Sequence, residues 1–196
     1  MVSRCHQIRS RNGENLPINA LKWGRKPPNI TPKGKKMLIN ALSFSEAQTS
    51  DTSVPIISIQ DSGYEEFYNL KHKTILRLTF DDVTSYTVRH RLLHPFYEEA
   101  FKTREPILFN EEMALQIFSF AEKARQNNQN LFIHCWAGMS RSVAVALCLN
   151  TIFNLLIYCN ISHYNSSLKQ ILTKAMPNSD VIKITMQTYL KCVGES

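Results

Sequence analysis

The sequence predicts an α/β domain: a central, largely parallel sheet of about four to five strands flanked by helices. Three features point to it. Four short apolar runs of strand length are spread along the chain, a long helix-period segment separates the third from the fourth, and the C-terminal part is helical in pattern. Residues 37–44 (MLINALSF), 54–59 (VPIISI), 74–80 (TILRLTF) and 131–134 (LFIH) read as buried strands, because each is apolar, short and bounded by polar or turn-forming residues. Residues 110–126 read as a helix. Asn110 can cap it, Glu111 and Glu112 suit the dipole of its first turn, and Met113, Ile117, Phe120, Ala121 and Ala124 recur on one face. A second helix is predicted over residues 141–158, nearly all apolar and therefore buried. Two shorter ones follow over residues 165–176 and 179–192, separated by Pro177 and Asn178.

A chain of 196 residues with 43% hydrophobic and 20% charged positions fills one core rather than two. The net charge of +7 looks like a nucleic-acid signature until it is divided along the chain. Residues 1–36 hold nine Lys or Arg and one acid, whereas the remainder holds 14 basic and 15 acidic side chains. That first segment also carries Pro17, Pro27, Pro28 and Pro32 and shows no apolar periodicity, so it reads as a disordered tail, with the catalytic domain at residues 37–196. An Arg-rich start invites a targeting reading, but the prolines break any amphipathic helix there. The domain itself is not expected to bind nucleic acid specifically. No apolar run is long enough for a membrane span. Five cysteines without a framework spacing or a C-x-x-C pair fit a reducing, cytoplasmic setting and offer no zinc site. A monomer without cofactor or metal is expected.

The chemistry concentrates at the end of the fourth strand, which reads His134-Cys135-Trp136-Ala137-Gly138-Met139-Ser140-Arg141-Ser142 and runs into an apolar helix. A strand that turns through a short loop into a helix aims successive backbone N–H groups at one spot, a way to cradle phosphate without a metal. Residues 135–141 (Cys135, Trp136, Ala137, Gly138, Met139, Ser140 and Arg141) form that candidate anion loop. A cysteine at its entrance meets those donors and the positive end of the helix, an environment that favours thiolate over thiol. Arg141, on the first helical turn, offers a planar fork that matches two phosphate oxygens. Gly138 allows the tight bend.

The spacing Cys-x5-Arg, with His before the cysteine and Ser after the arginine, resembles the signature of the protein tyrosine phosphatase superfamily. The match is closest to small dual-specificity enzymes of the compact bacterial and phage type. That resemblance implies a protein tyrosine phosphatase-like fold and a phosphorylated protein substrate. The chemistry it implies is hydrolysis of phosphotyrosine, with phosphoserine and phosphothreonine as further substrates of a shallow pocket. Cys135 would attack phosphorus to form a phosphocysteine, Arg141 would hold the phosphate, His134 would order the loop, and Ser142 would aid breakdown of the intermediate. The family also needs an acid to protonate the leaving oxygen. The segment TILRLTFDD resembles its acid loop, with Asp82 favoured and Asp81 as the alternative. Asp82 lies 53 residues before Cys135, farther than the family's usual spacing, which an insertion between Val83 and Phe109 accounts for. Glu98, Glu99 and Glu105 inside it are substitutes. The same stretch mixes Arg89, His90, Arg91, His94, Lys102 and Arg104 with Tyr86, Phe96, Tyr97 and Phe101, and reads as a flap that attracts phosphorylated ligands.

Other readings bound this one. Cys148 and Cys159, within or ending the apolar helix, read as core residues, and His6, His72 and His163 as solvated. Trp136 is equally a rim contact or a packing residue. The alternatives to a phosphatase are a non-catalytic phosphoprotein reader built on the same loop and an RNA 5′-triphosphatase that uses the basic tail. A phosphoinositide headgroup would call for lysines in the loop, and there are none.

Overall fold

The computed structural model describes residues 37–63, 69–89, 99, 101–153, 156–161, 164–166 and 175–194. The N-terminal tail and residues 90–98 and 100 of the inserted stretch lie outside these residues. Strand β1 is Leu38–Leu42, followed by helix α1, Phe44–Thr49. Then come β2, Ile56–Gln60, β3, Ile75–Thr79, and the short helix α2, Ser85–Arg89. Helix α3, Glu111–Gln126, leads to β4, Leu131–His134, and helix α4, Arg141–Phe153. Strands β5, Leu156–Ile161, and β6, Tyr164–Ser166, precede the C-terminal helix α5, Ser179–Gly194.

The strands form one sheet in the order β3-β2-β4-β1-β5-β6. Every pairing is parallel except the antiparallel β5–β6 pair at one edge. The α/β class and the largely parallel sheet therefore hold as read, and the described residues contain one strand more than the four to five expected. Alternation along the strands sorts the two faces. Ile39, Ala41, Ile57, Ile59, Leu78, Leu131 and Ile133 join the main core, which α3, α4 and α5 complete, whereas Leu42 and Ile56 join a smaller cluster with Ala47 of α1 and Leu70. A sheet covered on both faces explains why its strands read as continuous apolar runs.

Local signals fixed the helix starts. Asn110 caps α3 by accepting a hydrogen bond from the Met113 N–H at 3.0 Å, with Glu111 and Glu112 in the first turn and Lys123 and Arg125 in the last. Ser43 and Glu46 form a reciprocal capping box at α1. Two expectations fail. The helix expected over residues 141–158 stops at Phe153, and Leu156–Ile161 is a strand beside β1, so Cys159 lies in a strand and not at a helix end. An apolar run gives no periodicity to tell a buried helix from a buried strand. The helix expected over residues 165–176 is also absent where it can be seen, since Tyr164–Ser166 is β6 and Ala175 and Met176 are not helical; its middle lies outside the described residues. No helix among the described residues is long and apolar enough to cross a membrane.

Candidate active site

Four neighbouring parallel strands deliver their carboxyl ends to one edge of the sheet: Ser43 follows β1, Asp61 follows β2, Asp81 and Asp82 come just after β3, and Cys135 follows β4. Ligand sites in open α/β sheets form at this edge. The loop of residues 135–140 leaves β4, and its Ser140 carbonyl accepts the Ala144 N–H at 2.9 Å, so α4 begins as the loop ends. Cys135 sits buried at the base, its Sγ 3.2 Å from the Ser142 Oγ of the first helical turn. Trp136, Ala137 and Met139 are exposed along the lip. Trp136 stacks on Phe44 with ring centroids 5.9 Å apart and an interplanar angle of 16°, so it is both a packed residue and a rim residue.

The loop is pressed onto the β1–α1 turn. The Phe44 N–H donates to the Trp136 carbonyl at 3.0 Å. Gly138 adopts φ +71°, and a Cβ there would lie 2.6 Å from the Ser43 nitrogen and 2.8 Å from the Leu42 carbonyl carbon. The sequence reading gave Gly138 the bend; the structure adds that its missing side chain is filled by another segment's backbone.

Arg141 is 2% exposed. Its Nη1 donates to the Phe80 carbonyl at 2.8 Å and lies 3.0 Å from Asp61 Oδ1, while Nη2 donates to Asp61 Oδ2 at 3.0 Å. Nε, 3.7 Å from Asp82 Oδ2, makes no hydrogen bond. Burial alone would favour loss of the proton, but Asp61, Cys135 and Asp82 outweigh it and hold the guanidinium above its usual range. Asp61 thus grips the end of the fork, and Nε is left without a hydrogen bond. Sequence reasoning missed this residue, although a carboxylate directly after the carboxyl end of a buried parallel strand is the available signal.

The two candidate acids are placed differently. Asp81 is 1% exposed and saturated: it accepts from the Ser62 N–H and hydroxyl, Arg104 Nη1 and Nη2, and the Ile107 N–H. Burial pushes its carboxyl up, but these bonds outweigh burial and hold it below the usual carboxylate range. Arg104, which also donates to Ser62, is thereby committed to the scaffold and not to a phosphate-attracting flap. Asp82 faces the loop, where its Oδ1 accepts from Ser140 Oγ at 2.7 Å and from Asn178 Nδ2 at 3.1 Å. Of the substitutes, Glu99 pairs with Lys102 and Glu105 is exposed; Glu98, His90, Arg91 and His94 lie outside the described residues.

His134 is buried, with Nε2 2.8 Å from Ser58 Oγ. Burial, reinforced by His72 and Arg141, lowers its pKa from 6.5 to about 4. It is therefore neutral at neutral pH. The unfolded chain protonates here first, so this contribution to stability is complete above pH 6.5 and is lost as the pH falls from there through about 4. The loss is on the order of 3 kcal/mol. Urea unfolding at pH 7 and pH 4.5 should show it, and His134→Gln should remove most of the difference; an undiminished pH dependence in that variant would assign it elsewhere. Asp81, whose pKa is lowered, acts in a separate window below 3.8.

His72, expected in solvent, is instead buried, with Nδ1 2.8 Å from the Val54 carbonyl and Nε2 3.0 Å from Ser50 Oγ. Cys148 is a core thiol as read, its pKa pushed up to about 12 by burial. Among the described residues no three His, Cys, Asp or Glu side chains gather where they could hold a metal ion.

No family model matches the chain, and no curated protein matches it. Among solved structures the chain is similar to Tk-PTP in the active form, with TM-score 0.44 and 15% identity over 83% of this chain and 95% of that one. It is also similar to PTPMT1 in complex with PI(5)P, with TM-score 0.42 and 13% identity over 72% of this chain and 80% of that one. A further structure of PTPMT1 gives TM-score 0.39 and 13% identity over 71% and 78%. These neighbours are protein tyrosine phosphatase-type structures.

Proposed function

We propose that this chain is a cysteine-dependent phosphatase of the protein tyrosine phosphatase type, acting on phosphotyrosine in proteins and also on phosphoserine and phosphothreonine. The observation that carries the reading is the convergence of Cys135, Ser142, Arg141 and Asp82 on one strand-to-helix loop at the carboxyl edge of the sheet. Cys135 Sγ forms the S–P bond as the P–O bond to the leaving group breaks, and the leaving oxygen takes a proton from Asp82. Water then attacks phosphorus and gives a proton to the Asp82 carboxylate, and the S–P bond breaks to return the thiolate. Ser142 Oγ, 3.2 Å from the sulfur, is placed to donate to it as it leaves. Arg141 presents its Nε edge to the equatorial oxygens.

The exposed lip of Trp136, Ala137 and Met139 carries no charge. This favours a phosphate on an aromatic or uncharged carrier over a headgroup bearing several phosphates. Turnover of p-nitrophenyl phosphate is the test. Asp82→Asn should lower kcat by about 10² to 10⁴ for a substrate whose leaving group needs a proton. An unchanged rate on such a substrate would remove Asp82 as the acid, and p-nitrophenyl phosphate turnover that survives removal of the Cys135 sulfur would sink the reading.

A further inference from the structure

Asn178 lies outside the anion loop and outside the acid loop, at the start of α5, yet its buried side chain joins both structures. Its Oδ1 accepts the N–H groups of Asp180 at 3.1 Å and Val181 at 3.2 Å, so it caps the C-terminal helix. Those two donors fix the amide's orientation and turn Nδ2 toward the acid loop, where it donates to Asp82 Oδ1 at 3.1 Å and to the Val83 carbonyl at 3.3 Å. A second stitch lies beside it, from the Ser85 N–H to Asp180 Oδ2 at 2.6 Å. On the other side, Ser140 Oγ donates to the same Asp82 Oδ1 at 2.7 Å.

Two donors on one oxygen have a chemical consequence. In a carboxylic acid the carbonyl oxygen accepts hydrogen bonds and the other oxygen carries the proton. With Oδ1 accepting from Asn178 and Ser140, the proton belongs on Oδ2, the oxygen 3.7 Å from Arg141 Nε and therefore on the phosphate side. Building on the phosphatase reading, we propose that Asn178 is a positioning residue for the general acid: it fixes which oxygen of Asp82 bears the proton and aims it at the leaving group, and thereby couples the C-terminal helix to proton transfer. The transfer itself is the one already written, from Asp82 Oδ2 to the leaving oxygen as the P–O bond breaks.

A capping role and a positioning role can be separated. Asn178→Asp keeps an oxygen for the Asp180 and Val181 N–H groups, since Asp caps as well as Asn, but sets an acceptor where Asp82 Oδ1 now meets a donor. Asn178→Ser also caps, and its shorter side chain gives up the reach to Asp82. Both are compared with the parent on phenyl phosphate, a poor leaving group, and on an aryl phosphate with a strongly electron-withdrawn ring. The ratio of kcat/KM for the activated over the unactivated substrate should rise about tenfold or more in both variants, as general acid help worth about 10² to 10⁴ is partly lost. In an Asp82→Asn background the same substitutions should leave that ratio unmoved. A ratio equal to the parent's in either folded variant, or equal losses on both substrates, would overturn the inference while leaving the phosphatase reading intact. A parent chain without Cys135-dependent turnover would overturn both.

Discussion

Replacing Cys135 with serine should lower turnover of p-nitrophenyl phosphate by a factor on the order of 10⁵ or more, as expected when a covalent nucleophile is removed. Binding of inorganic phosphate should survive. The two expectations separate because nucleophile and anion grip are different groups. Serine has the shape of cysteine but no ionised oxygen at neutral pH, so the bond to phosphorus cannot form at a useful rate. Arg141, meanwhile, is held by Asp61 and the Phe80 carbonyl without help from the sulfur. Steady-state kinetics and calorimetric titration with phosphate read the two effects. A serine variant retaining a hundredth of the parental rate would remove the sulfur from the mechanism.

Gly138→Ala should damage fold and function together. The substitution adds a methyl group 2.6 Å from the Ser43 nitrogen and 2.8 Å from the Leu42 carbonyl carbon, both backbone atoms that no rotamer change can move, at φ +71°. The left-handed conformation costs about 1–2 kcal/mol for an L-residue and the forced overlap about 1–3 kcal/mol more, so unfolding free energy should fall by roughly 2–5 kcal/mol. Relief requires the loop to lift from the β1–α1 turn, breaking the Phe44 N–H to Trp136 carbonyl bond. Phosphate affinity should fall with it. Urea unfolding and phosphate titration test this; parental stability would mean that the loop does not rest on that turn.

The parts of the site that lie close together in sequence were legible there. Cys135, Gly138, Arg141 and Ser142 fall within eight positions, and the strand-to-helix setting supplies their chemistry. Strands β1 to β4 were legible because both faces of the sheet are covered, which makes each a compact apolar run. Asp61, Asn178 and Ser58 were not, because each acts through a partner far along the chain: Asp61 on Arg141, Asn178 on Asp82, Ser58 on His134. No local pattern marks such pairs. His72 escaped for the same reason, its partners Val54 and Ser50 being contributed by a separate segment. Strand β5 was lost differently, absorbed into the apolar run of the preceding helix.

Asp81 does more than fill a buried position, because its backbone N–H donates to the Ile107 carbonyl while its carboxylate takes the Ile107 N–H and the Arg104 guanidinium. The outgoing and returning ends of that excursion are therefore knotted at its root, immediately before Asp82. Closure entropy grows only slowly with loop length. Changes of length within the excursion should therefore cost little in closure, provided that Arg104 and Ile107 keep their hold on Asp81.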